Sequence, residues 1–189
     1  MINKKFIKQL KKEYDNYESE RGQIISLSNV VLHNSKRVIF SLHRQDIKKA
    51  TDSLIEIEKI LISLEKKFGY VRLTQEGSYK AGLEEYVEAK MFYLLSTDQT
   101  IDKIKKIQLS VDSYLGGICD LTGELVRAGI NNATNGQYDE VIKIKKIINS
   151  IMTELAEFDM TGYLRVKYDQ AKTNLRKIEQ INYEINLRK

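Results

Sequence analysis

The 189-residue chain contains no proline. Average usage of about 5% would place roughly nine prolines in this length. Loop-rich and β-rich chains use proline freely at turns, whereas in a helix interior it removes a hydrogen bond and clashes with the preceding turn. Its absence, together with only 10 glycines and 30% charged residues, predicts an all-α protein of long helices. A length of ~100–200 residues is that of a single domain with one core, so residues 1–189 are read as one domain. Collagen-like, proline-rich disordered and disulfide-scaffold classes are excluded.

Apolar spacing divides the chain into about six helices. Residues 3 to 44 carry Ile24, Leu27, Val31, Val38 and Leu42 along one side, which predicts one long helix or two nearly collinear ones. A second helix is expected from Asp46 to Lys67, with Ile57, Ile60, Leu61, Leu64 and Phe68 as its buried stripe, followed by a loop from Gly69 to Gly77. A third is expected over Tyr79 to Leu95, ended by the polar Ser96 to Thr100. The fourth, Asp102 to Asn135, contains Gly116-Gly117, a pair that can bend a helix. The Asn135-Gly136 turn introduces a fifth from Tyr138 to Phe158. After Gly162 the last helix, Leu164 to Leu187, places Leu164, Tyr168, Ala171, Leu175, Ile178 and Ile185 on a nearly heptad stripe interrupted by Asn182. That seam needs a partner, either the chain's own core or a neighbouring subunit.

Cys119 is the single cysteine, so neither an internal disulfide nor a multi-cysteine zinc site is available, and a reducing cytoplasm is the expected compartment. No apolar run approaches the ~18 residues of a membrane span, and Met1 to Lys12 lacks the uninterrupted apolar stretch of a secretory signal. The formal charge of +5, from 31 Lys+Arg against 26 Asp+Glu, leans only slightly towards polyanionic partners.

The chemistry concentrates in Tyr114 to Ile130, YLGGICDLTGELVRAGI. Asp120, Glu124 and Arg127 fall at i, i+4 and i+7, on one narrow stripe, beside Gly116 and Gly123 and walled by Leu115, Ile118, Cys119, Leu121 and Leu125. A ladder on a solvated face is the alternative reading. Such faces are wider and richer in Lys, Gln and Asn, and a carboxylate pair among apolar neighbours is costly to desolvate unless paired or metal-bound. In Ala81 to Phe92, AGLEEYVEAKMF, Glu85 and Glu88 share a stripe with small residues; alone, this segment reads as a solvated glutamate cluster. If the third and fourth helices pack side by side, Glu85, Glu88, Asp120 and Glu124 converge. Four carboxylates without histidine or cysteine suit Mg²⁺ or Mn²⁺.

Rival chemistries fail on residue content. A ferritin-like di-iron site needs Glu-x-x-His pairs, and the only histidines, His33 and His43, are preceded three residues earlier by Val30 and Phe40. The same scarcity argues against zinc hydrolases and nucleophilic triads, and neither a Walker loop nor a dinucleotide fingerprint occurs. A further stripe, Asn29, His33, Lys36, Arg37, Phe40, His43 and Arg44, combines cations with an aromatic, the composition that tracks a phosphate backbone. An ordinary solvated basic face is its bland counterpart.

At these segments the chain resembles the translin family, and within it the translin-associated factor X branch. The resemblance is carried by SKRVIFSLHR at Ser35 to Arg44, GLEEYVEA at Gly82 to Ala89, DLTGELVR at Asp120 to Arg127, and RVKYDQAKTNLRKIEQINYEINLR at Arg165 to Arg188. It implies a bundle of six to seven helices whose subunits close into a hollow barrel. For the factor X branch it implies a Mg²⁺-dependent endoribonuclease with active sites facing the interior. Glu85 and Glu88 match the glutamates of the EYVEA motif, and Asp120 and Glu124 the acids of DLTGE, a set that translin proper lacks. Glu84 stands where that branch commonly has glutamine. The segment from Ser96 to Ser113 lacks the long insertion of animal members, and no basic nuclear-import cluster occurs, which suggests a compact, archaeal-type member acting as a homo-oligomer.

The expected function is therefore cleavage of single-stranded or locally unpaired RNA. Glu85, Glu88, Asp120 and Glu124 are the metal and catalytic set, and Lys36, Arg37, His43, Arg44 and Arg127 are RNA contacts. The alternative is a non-catalytic oligomer that binds single-stranded RNA or DNA and keeps the carboxylates as a structural network; a purely structural helical assembly is a third reading.

Overall fold

A computed structural model describes residues 2–187. Met1, Arg188 and Lys189 lie outside the described residues, and with them the last residue of the Arg165 to Arg188 stretch. The described residues form seven helices and no strand: α1 (Lys4–His43), α2 (Ile47–Phe68), α3 (Tyr70–Leu73), α4 (Gly77–Ser96), α5 (Val111–Thr134), α6 (Tyr138–Leu155) and α7 (Gly162–Leu187).

The first helix is continuous. The Asn3 side chain caps it by accepting from the backbone N–H groups of Lys5 and Phe6 at 3.0 and 3.3 Å. Its early turns stand clear of the core, with Phe6, Leu10 and Tyr14 exposed. From Ile24 onward it buries Ile24, Ser28, Val31, Ser35, Val38 and Leu42, alternating by four and three residues. Leu27, expected on that face, is 37% exposed. The serines in the seam leave room for α4, and a Cβ on Gly82 would lie 3.1 Å from the Ser28 carbonyl oxygen.

A turn through Gln45 reverses the chain, and Asp46 caps α2 by accepting from the Lys49 N–H at 3.1 Å. Ala50, Leu54, Ile57, Leu61 and Leu64 form its buried stripe. Gly69, at φ +75°, ends α2 in a conformation that side chains rarely adopt. The expected Gly69 to Gly77 loop instead contains the single-turn α3, because Leu73 is fully buried and draws that turn onto the core.

The largest departure from the sequence reading is residues 97–110. The sequence predicts a helix from Asp102, yet α5 begins at Val111, where the Ser110 hydroxyl accepts from the Ser113 N–H at 3.0 Å. The apolar spacing of Ile104 and Ile107 reflects two anchors of an irregular segment, each 6% exposed. The Tyr114 hydroxyl accepts from the Ile104 N–H at 2.9 Å and donates to its carbonyl at 3.3 Å, replacing helical partners. Lys106 breaks the path at φ +76°.

Helix α5 runs unbroken through Gly116 and Gly117, so this pair serves close approach instead of a bend. A Cβ on Gly117 would stand 2.8 Å from the Glu84 carbonyl oxygen and 2.7 Å from Val87 Cγ1. That absence of side chain brings α4 against α5. On the other flank of α5, Ala171, Ile178 and Ile185 of α7 are buried, and Ile178 Cδ1 would lie 2.6 Å from a Cβ on Gly129. The heptad stripe of the last helix thus packs into this chain's own core, and the buried apolar residues form one continuous cluster. Among the described residues no helix is long and apolar enough to cross a membrane.

Candidate functional site

Four helices bring charged groups to one place. Helix α4 supplies Glu84, Glu85 and Glu88, α5 supplies Asp120 and Glu124, α1 brings Lys36 and His43, and α7 adds Tyr163 and Lys167. The i, i+3 and i, i+4 spacings on α4 and α5 set the acids on facing stripes, and the side-chain-free Gly116 and Gly117 let those stripes meet. A Cβ on Gly116 would overlap Glu84 Oε2 at 2.3 Å, so Glu84 lies directly across the glycine.

Ion pairs and hydrogen bonds hold the cluster's edges. Lys167 Nζ contacts Glu84 Oε1 at 2.7 Å and donates a short hydrogen bond to Asp120 Oδ2. Tyr163 donates to the same Glu84 oxygen at 2.6 Å. Across the site His43 Nε2 meets Glu124 Oε2 at 2.5 Å, its ring 5.0 Å from that of Phe92, and its side chain is only 5% exposed. Arg127 approaches Glu124 at 3.5 Å and Lys36 approaches Glu85 at 4.0 Å, both from solvent.

Glu88 lies deepest and differs from the others. It is 8% exposed, and among the described residues none donates a hydrogen bond to it or pairs with it. Burial, and then repulsion from Glu85, Asp120 and Glu124, pushes its carboxyl up to about 9. Burial likewise raises Glu85, opposed by Lys36, and raises Asp120, opposed by the Lys167 hydrogen bond. Glu124 alone is lowered, chiefly by the His43 hydrogen bond and against burial. Burial disfavours the charged Lys167, yet its bonds to Asp120, Glu84 and Tyr163 outweigh this and raise its pKa. Cys119, 2% exposed, is pushed by burial up to about 12 and is inert as a nucleophile.

Of the RNA contacts expected from the sequence, Lys36, His43 and Arg127 border the carboxylates. His43 points inward, seven residues after Lys36 on the same face of α1. Arg37 and Arg44 occupy the adjoining outer face, Arg37 reaching Asn34 at 3.4 Å and Arg44 lying 4.5 Å over the Phe40 ring. Sequence reasoning missed Lys167 and Tyr163. Their signal was a basic and a phenolic residue one helical turn apart at the start of α7, which has no meaning until α7 is laid against α5.

The donor set is one of hard oxygens, and Glu88 is a buried carboxyl without a donor, which suits a divalent cation. No three His, Cys, Asp or Glu side chains among the described residues stand close enough to grip one ion as they are now turned. Hard carboxylate oxygens are the donor type that Mg²⁺ and Mn²⁺ take, so the fit lies in the chemistry of the donors and not in their present spacing.

An all-α bundle with acids on two facing helices, buttressed by cations from its first and last long helices, defines the class. The chain belongs to the translin family, whose model matches residues 19–189. It is similar to the Translin-associated protein X of Mus musculus, 28% identical over 98% of this chain and 77% of that protein. The Schizosaccharomyces pombe homolog of that protein is 26% identical over 90% of this chain and 83% of its own length. Two solved structures share the fold. That described as apo-NeC3PO has a TM-score of 0.85 at 24% identity, and that described as an AfC3PO–duplex RNA complex has 0.84 at 17%, each covering 97% of both chains.

Proposed function

We propose that this protein is a Mg²⁺-dependent endoribonuclease that cuts single-stranded or locally unpaired RNA within a homo-oligomeric barrel, and that it works in the cytoplasm. The observation that carries the reading is the convergence of Glu85, Asp120 and Glu124 on a buried carboxyl, Glu88, that has no hydrogen-bond or ion-pair partner among the described residues. Kinship with Translin-associated protein X, and a fold shared with a protein solved on duplex RNA, support an RNA partner.

Glu85, Glu88 and Asp120 would hold the ion, with Glu124 completing the set; when bound, Mg²⁺ or Mn²⁺ supplies charge to polarise the scissile phosphate and to lower the pKa of an attacking water. The chain's own residues do the rest. Lys36 and Arg127, at the solvent edge, receive phosphate oxygens. His43 fixes the rotamer of Glu124, and Lys167 fixes those of Asp120 and Glu84. Arg37 and Arg44, on the outer face of α1, extend the track along the strand.

The test is cleavage of end-labelled single-stranded and duplex RNA with Mg²⁺ against EDTA, with Asp120→Asn and Glu85→Gln alongside. Metal-dependent cutting lost in both variants is expected; unchanged cutting by a folded double variant rejects the site. The second reading, an oligomer that binds single-stranded RNA or DNA without cutting, rests on the pairing of Asp120 with Lys167 and of Glu124 with His43. Salt-sensitive binding without turnover would select it.

A further inference from the structure

A cavity of about 470 Å³ opens where the ends of α1 and α4 meet α5 and α6, within the range of small-molecule sites. His43 is its shared wall with the carboxylate cluster: the residue lines the cavity while its Nε2 lies on Glu124. The floor is apolar, formed by Leu42, Phe92, Leu125 and Ile144, each no more than 8% exposed. The rim is polar and uncharged at Gln45, Ser96, Asn131 and Asn132, groups that both donate and accept hydrogen bonds.

Charge selects the kind of ligand. Asp98 and Glu140 stand on the wall, and Lys143, the lysine there, has its Nζ on Glu140 at 2.5 Å. A phosphate would meet carboxylates and a cation already engaged. A flat, uncharged heteroaromatic with a hydrogen-bonding edge meets an apolar floor and an amide rim. The α5 stripe links the two places, since Ala128 follows Glu124 by four residues, about 6 Å along the helix axis, and lines the cavity.

We infer that this cavity takes a nucleobase of the RNA strand, unstacked from its neighbours, while the phosphate beside that nucleotide lies at the carboxylates. The inference rests on the nucleic-acid reading above and adds to it a base-sized site, which would make the enzyme require unpaired nucleotides.

Two probes separate the two claims. Adenosine and ribose 5-phosphate are titrated against the full chain by equilibrium dialysis, and a cleavage-resistant, phosphorothioate-linked 12-nucleotide single-stranded RNA is titrated by anisotropy in Mg²⁺. The wild type is expected to bind adenosine and not ribose 5-phosphate. Ala128→Trp, which fills the cavity, should weaken adenosine and the RNA by about tenfold or more, the scale of one lost base contact. Asn131→Ala, an exposed rim change that leaves the core untouched, should weaken adenosine severalfold, so the claim stays testable if the tryptophan variant misfolds. RNA binding without adenosine binding, or adenosine binding indifferent to both variants, overturns the base site and leaves the nucleic-acid reading standing. Failure of the wild type to bind RNA overturns both.

Discussion

His43 and Glu124, on α1 and α5, are joined by a 2.5 Å contact that closes one edge of the acid cluster from across the bundle. The imidazole is shielded by Phe92, so removing it leaves a half-buried carboxylate without its main partner. His43→Ala should cost about 1–3 kcal/mol in denaturant unfolding at pH 7. The lowered Glu124 contributes stability that is present above its ordinary 4.5 and lost as pH falls through its depressed value. The variant should lack this acid-side loss, and a wild-type-like acid limb would refute the assignment.

Glu88 gives the opposite sign. Its folded carboxyl sits at about 9 against 4.5 ordinarily, so over that interval the folded state keeps a proton the unfolded chain has released. Stability of the metal-free protein should therefore fall as pH rises from about 4.5 to about 9. Glu88→Gln should flatten this decline and gain roughly 1–3 kcal/mol at pH 8. Urea unfolding at pH 5.5 and 8.5 decides it; parallel profiles for the two proteins would contradict the prediction.

A divalent cation should relieve the same repulsion. Mn²⁺ or Mg²⁺ at a hundred times its dissociation constant stabilises a folded protein by ~2.7 kcal/mol through mass action. The melting temperature should rise with metal, return with EDTA, and be metal-insensitive in Asp120→Asn. Calorimetry showing an equal rise in that variant would move the ion elsewhere.

Lys167→Met tests the internal cation. Glu84 and Asp120 would then face each other without it, and we expect a loss of about 1–3 kcal/mol at pH 8, shrinking towards pH 5 as carboxyls take up protons. A pH-independent loss would indicate packing alone.

Gly117→Ala places a methyl within 2.8 Å of the Glu84 backbone oxygen. Overpacking of this kind costs roughly 1–3 kcal/mol, and here it also separates the helix bearing Glu85 and Glu88 from that bearing Asp120 and Glu124. Lower stability together with weaker Mn²⁺ binding is expected; lower stability with unchanged Mn²⁺ affinity would show that the spacing of α4 and α5 is not what sets the site.

The helices were legible because their signals are local. The 3.5-residue burial rhythm of α1, α2 and α7 lies in the order of the letters. The four acids were legible for the same reason, as short motifs on helices. Residues 97–110 misled because Ile104 and Ile107 repeat at helical spacing while serving as loop anchors tied to Tyr114. His43 reads from the sequence as one of the RNA contacts on a basic stripe, since its spacing from Lys36 says which residues share a face and nothing about which helix covers that face. Lys167 was invisible because its partners, Glu84 and Asp120, lie on two other helices.

That dispersal has a consequence for synthesis of the chain. All five acids have been translated by residue 124, but the ammonium that separates Glu84 from Asp120 comes only with α7. A nascent or truncated chain ending before Tyr163 holds like charges face to face across Gly116. Docking of α7 is therefore what completes the centre, and an assembled site marks a chain made at least as far as Lys167.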